Sequence, residues 1–285
     1  MDFIQFASAH GLEITNLVAG KITRCRTSDH RSKKNGSYYF EHDWGWAMNW
    51  TVHDKPEFWK SGKVVDTKEL QLKIKKSQEK HQQERARLNL RAIRKSEWAL
   101  SKCRNDISAY LASKGFPEMC FNMLFEDDPE YPLFDGRLPL LCVPMKIGNK
   151  LSGLQMIAND GAKKFIYGTN AELAIFDIGN GSDVFLVEGL ATGLSLQKIL
   201  SQLKVSYKIR VCFSAGNMIK VAKLHKDPIL ICDNDQSGVG ERVGIESGKL
   251  YYMPPITGQD LNDECNKSGY FVVSQKIKKM LHPKL

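Results

Sequence analysis

The sequence predicts an α/β protein in which a parallel sheet is flanked by helices. From Asp183 onward, short apolar runs alternate with segments of helical length, a pattern typical of parallel sheets covered by helices. The apolar fraction, 42% of 285 residues, is enough for the buried core of one large domain or two smaller ones.

The elements of this sheet follow from the same alternation. Apolar runs of four or five residues are interpreted as strands, and the longer segments between them as helices. The predicted elements are a strand at 184–187, a helix at 192–203, a strand at 209–213, a helix at 217–225 and a strand at 229–232.

Three segments are expected before this sheet. Residues 1–65 form a small β-rich module of aromatic and basic character, in which Asn35-Gly36 predicts a turn between two strands. Residues 66–115 form a helical linker, and residues 116–180 form a mixed α+β subdomain of basic character. Residues 181–285 are then the domain that carries the parallel sheet.

The linker is predicted to contain one long polar helix, because no proline or glycine interrupts residues 66–104. Between Gln71 and Lys95, nine Lys or Arg residues stand against two glutamates. Two interpretations stay open for this charge: a solvated connecting helix, or a basic arm that contacts a phosphate backbone. A second helix is predicted to end at Gly115, with Pro117 closing it.

Three carboxylates follow apolar strands of the predicted sheet. Glu188 comes directly after the strand at 184–187, and Asp233 and Asp235 come directly after the strand at 229–232. Because ligands gather at the carboxyl ends of parallel strands, we expect these side chains to converge at one edge. Clustered carboxylates repel one another unless a cation lies among them, and their oxygens suit magnesium or manganese. For any one of them, the alternative is a helix cap.

Two short segments around these carboxylates resemble a known family. Glu-Gly-Leu-Ala-Thr-Gly at 188–193 resembles the first Toprim motif, and Asp-Asn-Asp-Gln-Ser-Gly at 233–238 resembles the second. Toprim domains occur in bacterial-type primases, type IA and type II topoisomerases and some nucleases. The resemblance implies a Toprim-like parallel sheet flanked by helices, with Glu188 as general acid or base and Asp233 and Asp235 as magnesium ligands.

The flanking segments resemble primases in particular. Residues 138–155 are similar to the segment before the Toprim domain of primases, where a basic subdomain carries incoming nucleotide and template. Residues 161–165 resemble the lysine-containing strand of that subdomain, which makes Lys163 and Lys164 expected phosphate contacts.

The late acidic motif and two hydroxyl residues complete the implied site. Residues 253–263 resemble the late acidic motif of primase-like Toprim proteins, which adds Asp260 and Asp263 as expected metal ligands. Thr192 and Ser237, within the two motifs, are expected to face nucleotide or template. Bacterial primases usually carry an aspartate at the position of Thr192, which puts the number of carboxylates at the metal site in doubt.

The N-terminal module departs from the zinc-binding domain with which primases usually begin. Its zinc-ligand types are Cys25, His30, His42 and His53, and no CxxC pair is present, so the sequence argues against zinc.

Nucleic-acid binding is the role expected of the module instead. Arg24 and Arg26 are expected to contact phosphates, and Trp44, Trp46 and Trp50 are expected to stack on unpaired bases. The alternative for each tryptophan is the core of a small domain.

The function predicted from these observations is a DNA primase of the phage or mobile-element type, which joins nucleoside triphosphates on single-stranded DNA. The net charge of +9 suggests a polyanionic partner. No GxxxxGK[ST] loop is present, so a separate helicase is an expected partner. A Toprim nuclease and a non-catalytic single-stranded nucleic-acid-binding protein stay open as alternatives. With no signal peptide, no apolar span and seven unpaired cysteines, a cytoplasmic protein without membrane contact is expected.

Overall fold

The structure is a computed structural model in which the chain divides into two compact units, unit 1 (Met1–His81) and unit 2 (Gln82–Leu285). For residues 67–74 and for Ser77, the structure describes the helical backbone but not the side chains. The described residues are 1–30, 34–53, 55–61, 67–128, 132–236 and 238–281.

Unit 1 contains an antiparallel meander in which five strands pair in sequence order. Phe3, on the helix that precedes the meander, anchors its core through ring contacts with Tyr38, Phe40 and Trp59. The elements are α1 (Phe3–Ala9), β1 (Leu12–Glu13), β2 (Thr23–Thr27), β3 (Gly36–Glu41), β4 (Trp44–Asn49) and β5 (Glu57–Lys60).

The turn predicted at Asn35-Gly36 is wrong, because Gly36 is the first residue of β3. It pairs with Cys25 on one side and with Asn49 on the other. A Cβ at this position would stand 2.9 Å from the Cys25 sulfur, so the glycine allows close packing within the sheet.

The predicted long helix is present as α2 (Thr67–Lys102), which passes through the boundary between the units. Unit 2 continues with an antiparallel sheet in the order β10-β9-β8-β7-β6. Gly148, at a φ of 58°, forms with Asn149 the two-residue turn between β8 and β9. The elements are β6 (Arg104–Ile107), α3 (Ala109–Ser113), β7 (Cys120–Leu124), β8 (Leu140–Ile147), β9 (Lys150–Ala158) and β10 (Lys163–Phe165).

A third sheet, in the order β11-β13-β12-β14-β15, completes unit 2. Its strand β12 is parallel to β13 and β14, and β14 is parallel to β15, whereas β11 is antiparallel to β13. The elements are β11 (Phe176–Ile178), β12 (Val184–Val187), α4 (Leu190–Gln202), β13 (Lys208–Val211), α5 (Ala215–Ala222), β14 (Ile229–Ile231), α6 (Val239–Ser247), β15 (Tyr251–Tyr252), α7 (Leu261–Ser268) and α8 (Tyr270–Leu281).

The predicted fold class, a Toprim-like parallel sheet flanked by helices, is wrong for this chain. The described residues form three five-stranded sheets, of which two are antiparallel throughout and the third is mixed rather than parallel, because β11 runs antiparallel to β13. The strand–helix alternation on which the prediction rested covers only residues 184–232. The ten strands before residue 166 are joined mainly by connections too short for a crossover helix, so their neighbours pair antiparallel.

The two sheets of unit 2 share one hydrophobic core. Leu141 and Val143 of β8 lie in the same cluster as Phe185 and Val187 of β12. A backbone bridge between Lys146 and residue 175 also joins the sheets. This shared core fixes side chains of β10 relative to those that follow β12 and β14.

All seven cysteines are free thiols, and Cys142, Cys212 and Cys232 are buried as predicted. In the part of the chain that the structure describes, no helix combines the length and the apolar character required to span a bilayer.

Gly240, the second residue of α6, is expected to be a site of strong packing sensitivity. A Cβ there would collide with the carbonyl oxygen of Asp233. We expect Gly240→Ala to lower the free energy of unfolding by about 2 kcal/mol, measured by urea denaturation with circular dichroism. Gly216→Ala is the matched control, because Gly216 is the second residue of α5 and its Cβ would meet nothing within 4 Å. If the two variants were equally stable, the close approach of Gly240 to the Asp233 carbonyl would be contradicted.

Candidate active site

The ends of two neighbouring parallel strands bring Glu188 and Asp233 together. Val187 of β12 is paired with Ile231 of β14, so Glu188 is level with Cys232 and one residue before Asp233. The backbone N–H of Phe213 donates to the carbonyl of Glu188 at 2.9 Å, which holds the start of α5 beside the end of β12. The predicted convergence of these carboxylates is therefore a consequence of strand register.

An isolated antiparallel bridge adds Asp260 to this edge. Asn234 is bridged to Gln259, and the N–H of Asn234 donates to the Gln259 carbonyl at 3.0 Å. In this antiparallel register Asp233 lies opposite Asp260. Asp233 is thus brought near Glu188 by strand register and opposite Asp260 by the bridge, rather than by sequence proximity.

The charges of this cluster perturb one another. Burial, followed by the neighbouring Glu188 and Asp260 carboxylates, raises the pKa of Asp233 to about 7. Burial and the Asp235 carboxylate raise the pKa of Glu188, an effect that Lys163 and the Ala215 backbone partly offset. One oxygen of Asp233, Oδ1, is buried and accepts no hydrogen bond from the described residues. Raised carboxyl pKa values beside a specific cation are typical of functional sites.

Lys163 on β10 is the cation that faces the cluster. Its Nζ atom lies 3.9 Å from where a Cβ on Gly189 would stand, at the N-terminus of α4. It lowers the pKa of both Glu188 and Asp233. The same Nζ atom lies 5.8 Å from the ring centroid of Tyr110.

Lys164, the other predicted phosphate contact, is engaged elsewhere. Its ammonium pairs with the Asp135 carboxylate at 3.3 Å and lies 5.5 Å from the ring centroid of Phe134. Successive side chains of a strand point to opposite faces, so only one of the two lysines reaches the carboxylates.

Asp260 and Asp263 form a capping box at the N-terminus of α7. Asp260 Oδ1 accepts the Asp263 N–H at 2.8 Å, and Asp263 Oδ2 accepts the Asp260 N–H at 3.3 Å. The other Asp263 oxygen lies 3.6 Å from the Lys114 ammonium. Both oxygens of Asp263 are therefore occupied by contacts within the protein, whereas Asp260 also contributes its charge to the site.

The chemistry of the donor set fits magnesium or manganese. Glu188, Asp233, Asp235 and Asp260 supply carboxylate oxygens, and Asp233 Oδ1 is an unsatisfied buried acceptor. Within the described ranges, no three His, Cys, Asp or Glu side chains are gathered closely enough to form a ready metal site. Binding of a cation would therefore require side-chain rotation at this edge.

Of the two hydroxyl residues in the motifs, Thr192 and Ser237, the structure describes only Thr192. Thr192 lies in the first turn of α4 with 1% of its surface exposed, so its hydroxyl is directed into the protein rather than toward solvent. Ser237 lies outside the described residues.

Tyr110 and Phe213 belong to this edge and were not identified from the sequence. Tyr110 is 3% exposed, and its hydroxyl has no hydrogen-bond partner among the described residues. Phe213 has a φ of 66°, a backbone conformation uncommon for a residue with a side chain. Nothing in the local sequence marks either residue, because their relation to the carboxylates depends on tertiary contacts.

The predicted nucleic-acid-binding residues of unit 1 divide into exposed and buried groups. Arg24 and Arg26 are exposed, and the Arg24 guanidinium lies 5.6 Å from the ring centroid of Trp50, which is 52% exposed. Trp44 is buried against Tyr39. Trp46, whose backbone pairs with Tyr39, is half-buried.

A pocket of about 390 Å³ lies beside the exposed arginines of unit 1. Its lining includes Arg24, Arg26 and Lys34, with Glu13 as the acidic member. The Arg24 guanidinium donates to the Lys34 carbonyl at 2.8 Å, which fixes one wall. Arg24 and Trp50 thus form a basic and aromatic surface of unit 1 that solvent reaches.

The raised pKa of Asp233 predicts a pH-dependent cost to stability. Its folded pKa, about 7, exceeds the ordinary value of 3.8, so folding favours the protonated form. The stabilisation present below pH 3.8 is lost as the pH rises through 7. In metal-free buffer at pH 8, we expect Asp233→Asn to raise the free energy of unfolding by about 2 kcal/mol.

Urea denaturation from pH 4 to pH 8 measures this effect, and the advantage of the variant should grow over that range. The control is Asp227→Asn, whose side chain is 81% exposed and should give no comparable trend. A wild-type protein more stable than Asp233→Asn at pH 8 would contradict the burial of an uncompensated charge.

Comparison with known proteins gives no family for the chain: no family model matches it, and no match was found among curated proteins. The resemblance to Toprim primases therefore rests on short sequence segments alone, at 138–155, 161–165, 188–193, 233–238 and 253–263.

Proposed function

We propose that the chain is a DNA primase, a magnesium-dependent nucleotidyltransferase that joins nucleoside triphosphates on a single-stranded DNA template. The observation that carries the proposal is the position of Lys163, whose ammonium faces the Glu188 and Asp233 carboxylates beside the N-terminus of α4. An ammonium and a helix N-terminus attract phosphate, whereas carboxylates suit the cation that accompanies a triphosphate.

The reaction assigns a role to each group at the edge. A nucleotide 3′-hydroxyl attacks the α-phosphorus of the incoming triphosphate, an O–P bond forms, and pyrophosphate leaves with the broken O–P bond. Glu188 accepts the proton of the attacking hydroxyl, because its raised pKa places it closer to neutrality than an ordinary glutamate. Lys163 binds the polyphosphate, and Asp233 and Asp235 would hold the divalent cation. That cation, when bound, stabilises negative charge on the phosphate oxygens.

The site favours synthesis over the two alternatives. A nuclease of this type needs carboxylates and a cation but no group reserved for a triphosphate. A protein that only binds nucleic acid gains nothing from carboxylates crowded beside a phosphate site, since they repel the backbone. The ammonium of Lys163 next to the acidic cluster is best accounted for by a substrate that carries both phosphate and metal.

The two lysines of β10 provide a matched test of the triphosphate site. We expect Lys163→Ala to raise the apparent KM for nucleoside triphosphate by about tenfold, the loss expected for one charged contact. Lys164→Ala should leave the curve within twofold of wild type, since that ammonium pairs with Asp135. The measurement is primer yield on single-stranded DNA against triphosphate concentration, in magnesium.

A double variant, Asp233→Ala with Asp235→Ala, is the inactive control and should abolish synthesis. If the curves of primer yield against triphosphate concentration were the same for Lys163→Ala and Lys164→Ala, Lys163 would not bind the triphosphate. A wild-type chain that degrades DNA in magnesium without making primers would replace the primase with a nuclease.

Unit 1 is proposed to hold the single-stranded template through Arg24 and Trp50. We expect Trp50→Ala to weaken binding of an oligothymidylate by about tenfold, since stacking on one base is worth roughly 1–3 kcal/mol. Arg24→Ala should reduce the slope of log affinity against log salt by about 1. Fluorescence anisotropy across a salt series measures both effects.

The control for the template surface is Phe271→Ala, which removes another exposed aromatic ring, 75% exposed and located in unit 2. Affinity unchanged by both unit 1 variants would assign unit 1 a structural role instead. A separate helicase remains the proposed partner that supplies unwound template.

A further inference from the structure

Tyr110 has a buried hydroxyl group that makes no hydrogen bond within the described residues. The residue lies in the short helix α3, and the turn at Gly161 packs on one side of its ring, with a Cβ on Gly161 falling 3.8 Å from the ring carbons. The Lys163 ammonium lies 5.8 Å from the centroid of the same ring. The ring is therefore held firmly between the β9–β10 turn and the cation of the proposed site.

The phenol of Tyr110 lies within electrostatic range of the two aspartates at the N-terminus of α7. Its hydroxyl is buried without a hydrogen-bond partner among the described residues, and burial, followed by the charges of Asp260 and Asp263, raises the pKa of the phenol to about 12. At neutral pH the group is consequently a neutral O–H donor. The Asp263 oxygens and Asp260 Oδ1 contact the capping-box N–H groups and the Lys114 ammonium, and they accept no hydrogen bond from the phenol.

We propose that the Tyr110 hydroxyl donates a hydrogen bond to the polyphosphate of the bound nucleoside triphosphate, next to the Lys163 ammonium. This inference rests on the proposed function, because it assigns a substrate contact to the same site. The polyphosphate is the matching ligand since it offers acceptor oxygens where the ammonium draws negative charge. A buried donor that lacks a protein acceptor is suited to a ligand that brings one.

The ring and the hydroxyl have separable roles. The ring positions Lys163 through the contact between its π face and the ammonium, and phenylalanine keeps this contact. The hydroxyl alone would bind substrate. Because the hydroxyl bonds to nothing in the described protein, its removal should cost the fold nothing.

The test compares wild type with Tyr110→Phe, using the full chain. Binding of magnesium ATP is measured by calorimetry, and primer synthesis is measured against ATP concentration. We expect Tyr110→Phe to weaken ATP binding and raise KM by about tenfold, with kcat within twofold and a thermal unfolding midpoint equal to or above that of wild type. Tyr167→Phe is the matched control, because Tyr167 is 82% exposed just after β10, and it should change neither binding nor kinetics.

The outcomes separate this inference from the proposed function. If wild type binds ATP and makes primers but Tyr110→Phe does the same with unchanged KM, the hydroxyl contact is wrong and the primase proposal stands. If wild type neither binds ATP nor makes primers, both fail. A Tyr110→Phe variant that folds less stably than wild type would also overturn the inference, because the hydroxyl would then serve the fold.

Discussion

Two partly buried carboxylates at the ends of neighbouring parallel strands, Glu188 and Asp233, impose the constraint on which the arrangement of unit 2 depends. Burial disfavours the charged form of each, and the charge of Glu188 further raises the pKa of Asp233. Lys163 lowers both pKa values, yet it belongs to a different sheet. Lys163 can lower these pKa values only if the second and third sheets keep a fixed position relative to each other. The shared hydrophobic cluster and the backbone bridge at Lys146 hold them in that position. Packing far from the carboxylates thus contributes to their ionisation.

The different environments of Lys163 and Lys164 show how strand register decides which lysine faces the carboxylates. In β10, Lys163 is paired with Ile157 and Lys164 with Met156, and this pairing sends the first ammonium to the carboxylates and the second to Asp135. The sequence identifies a lysine-containing strand but contains nothing that distinguishes its two faces. A shift of one residue in this pairing would exchange the two lysines.

Local patterns were sufficient to predict the strands and helices from residue 184 to residue 232, because each has an apolar run of ordinary length. They were insufficient for the fold class, since strand direction depends on which strands become neighbours. Strand β6 (Arg104–Ile107) is exposed along its whole length, so it has no apolar alternation to detect. The positions of Glu188, Asp233 and Asp235 after strands could be predicted from the apolar runs that precede them. The relation of Asp260 to them depends on the bridge between Asn234 and Gln259, which spacing alone does not reveal.

Several unfavourable features of unit 2 lie at the carboxylate edge. Of the five buried side-chain atoms in its described part that lack a hydrogen-bond partner, three belong to Tyr110, Asp233 and Gln259. Phe213, whose N–H holds the Glu188 carbonyl, adds a left-handed backbone conformation. Each of these costs the fold free energy, because buried polar groups in native proteins are nearly always hydrogen-bonded. Strain and unsatisfied groups that coincide with crowded charge indicate an edge shaped for a ligand that supplies both donors and positive charge. A nucleoside triphosphate with its cation would bring acceptors for the Tyr110 hydroxyl and the Lys163 ammonium, and a counter-charge for Asp233, which is why we propose nucleotidyl transfer rather than simple nucleic-acid binding.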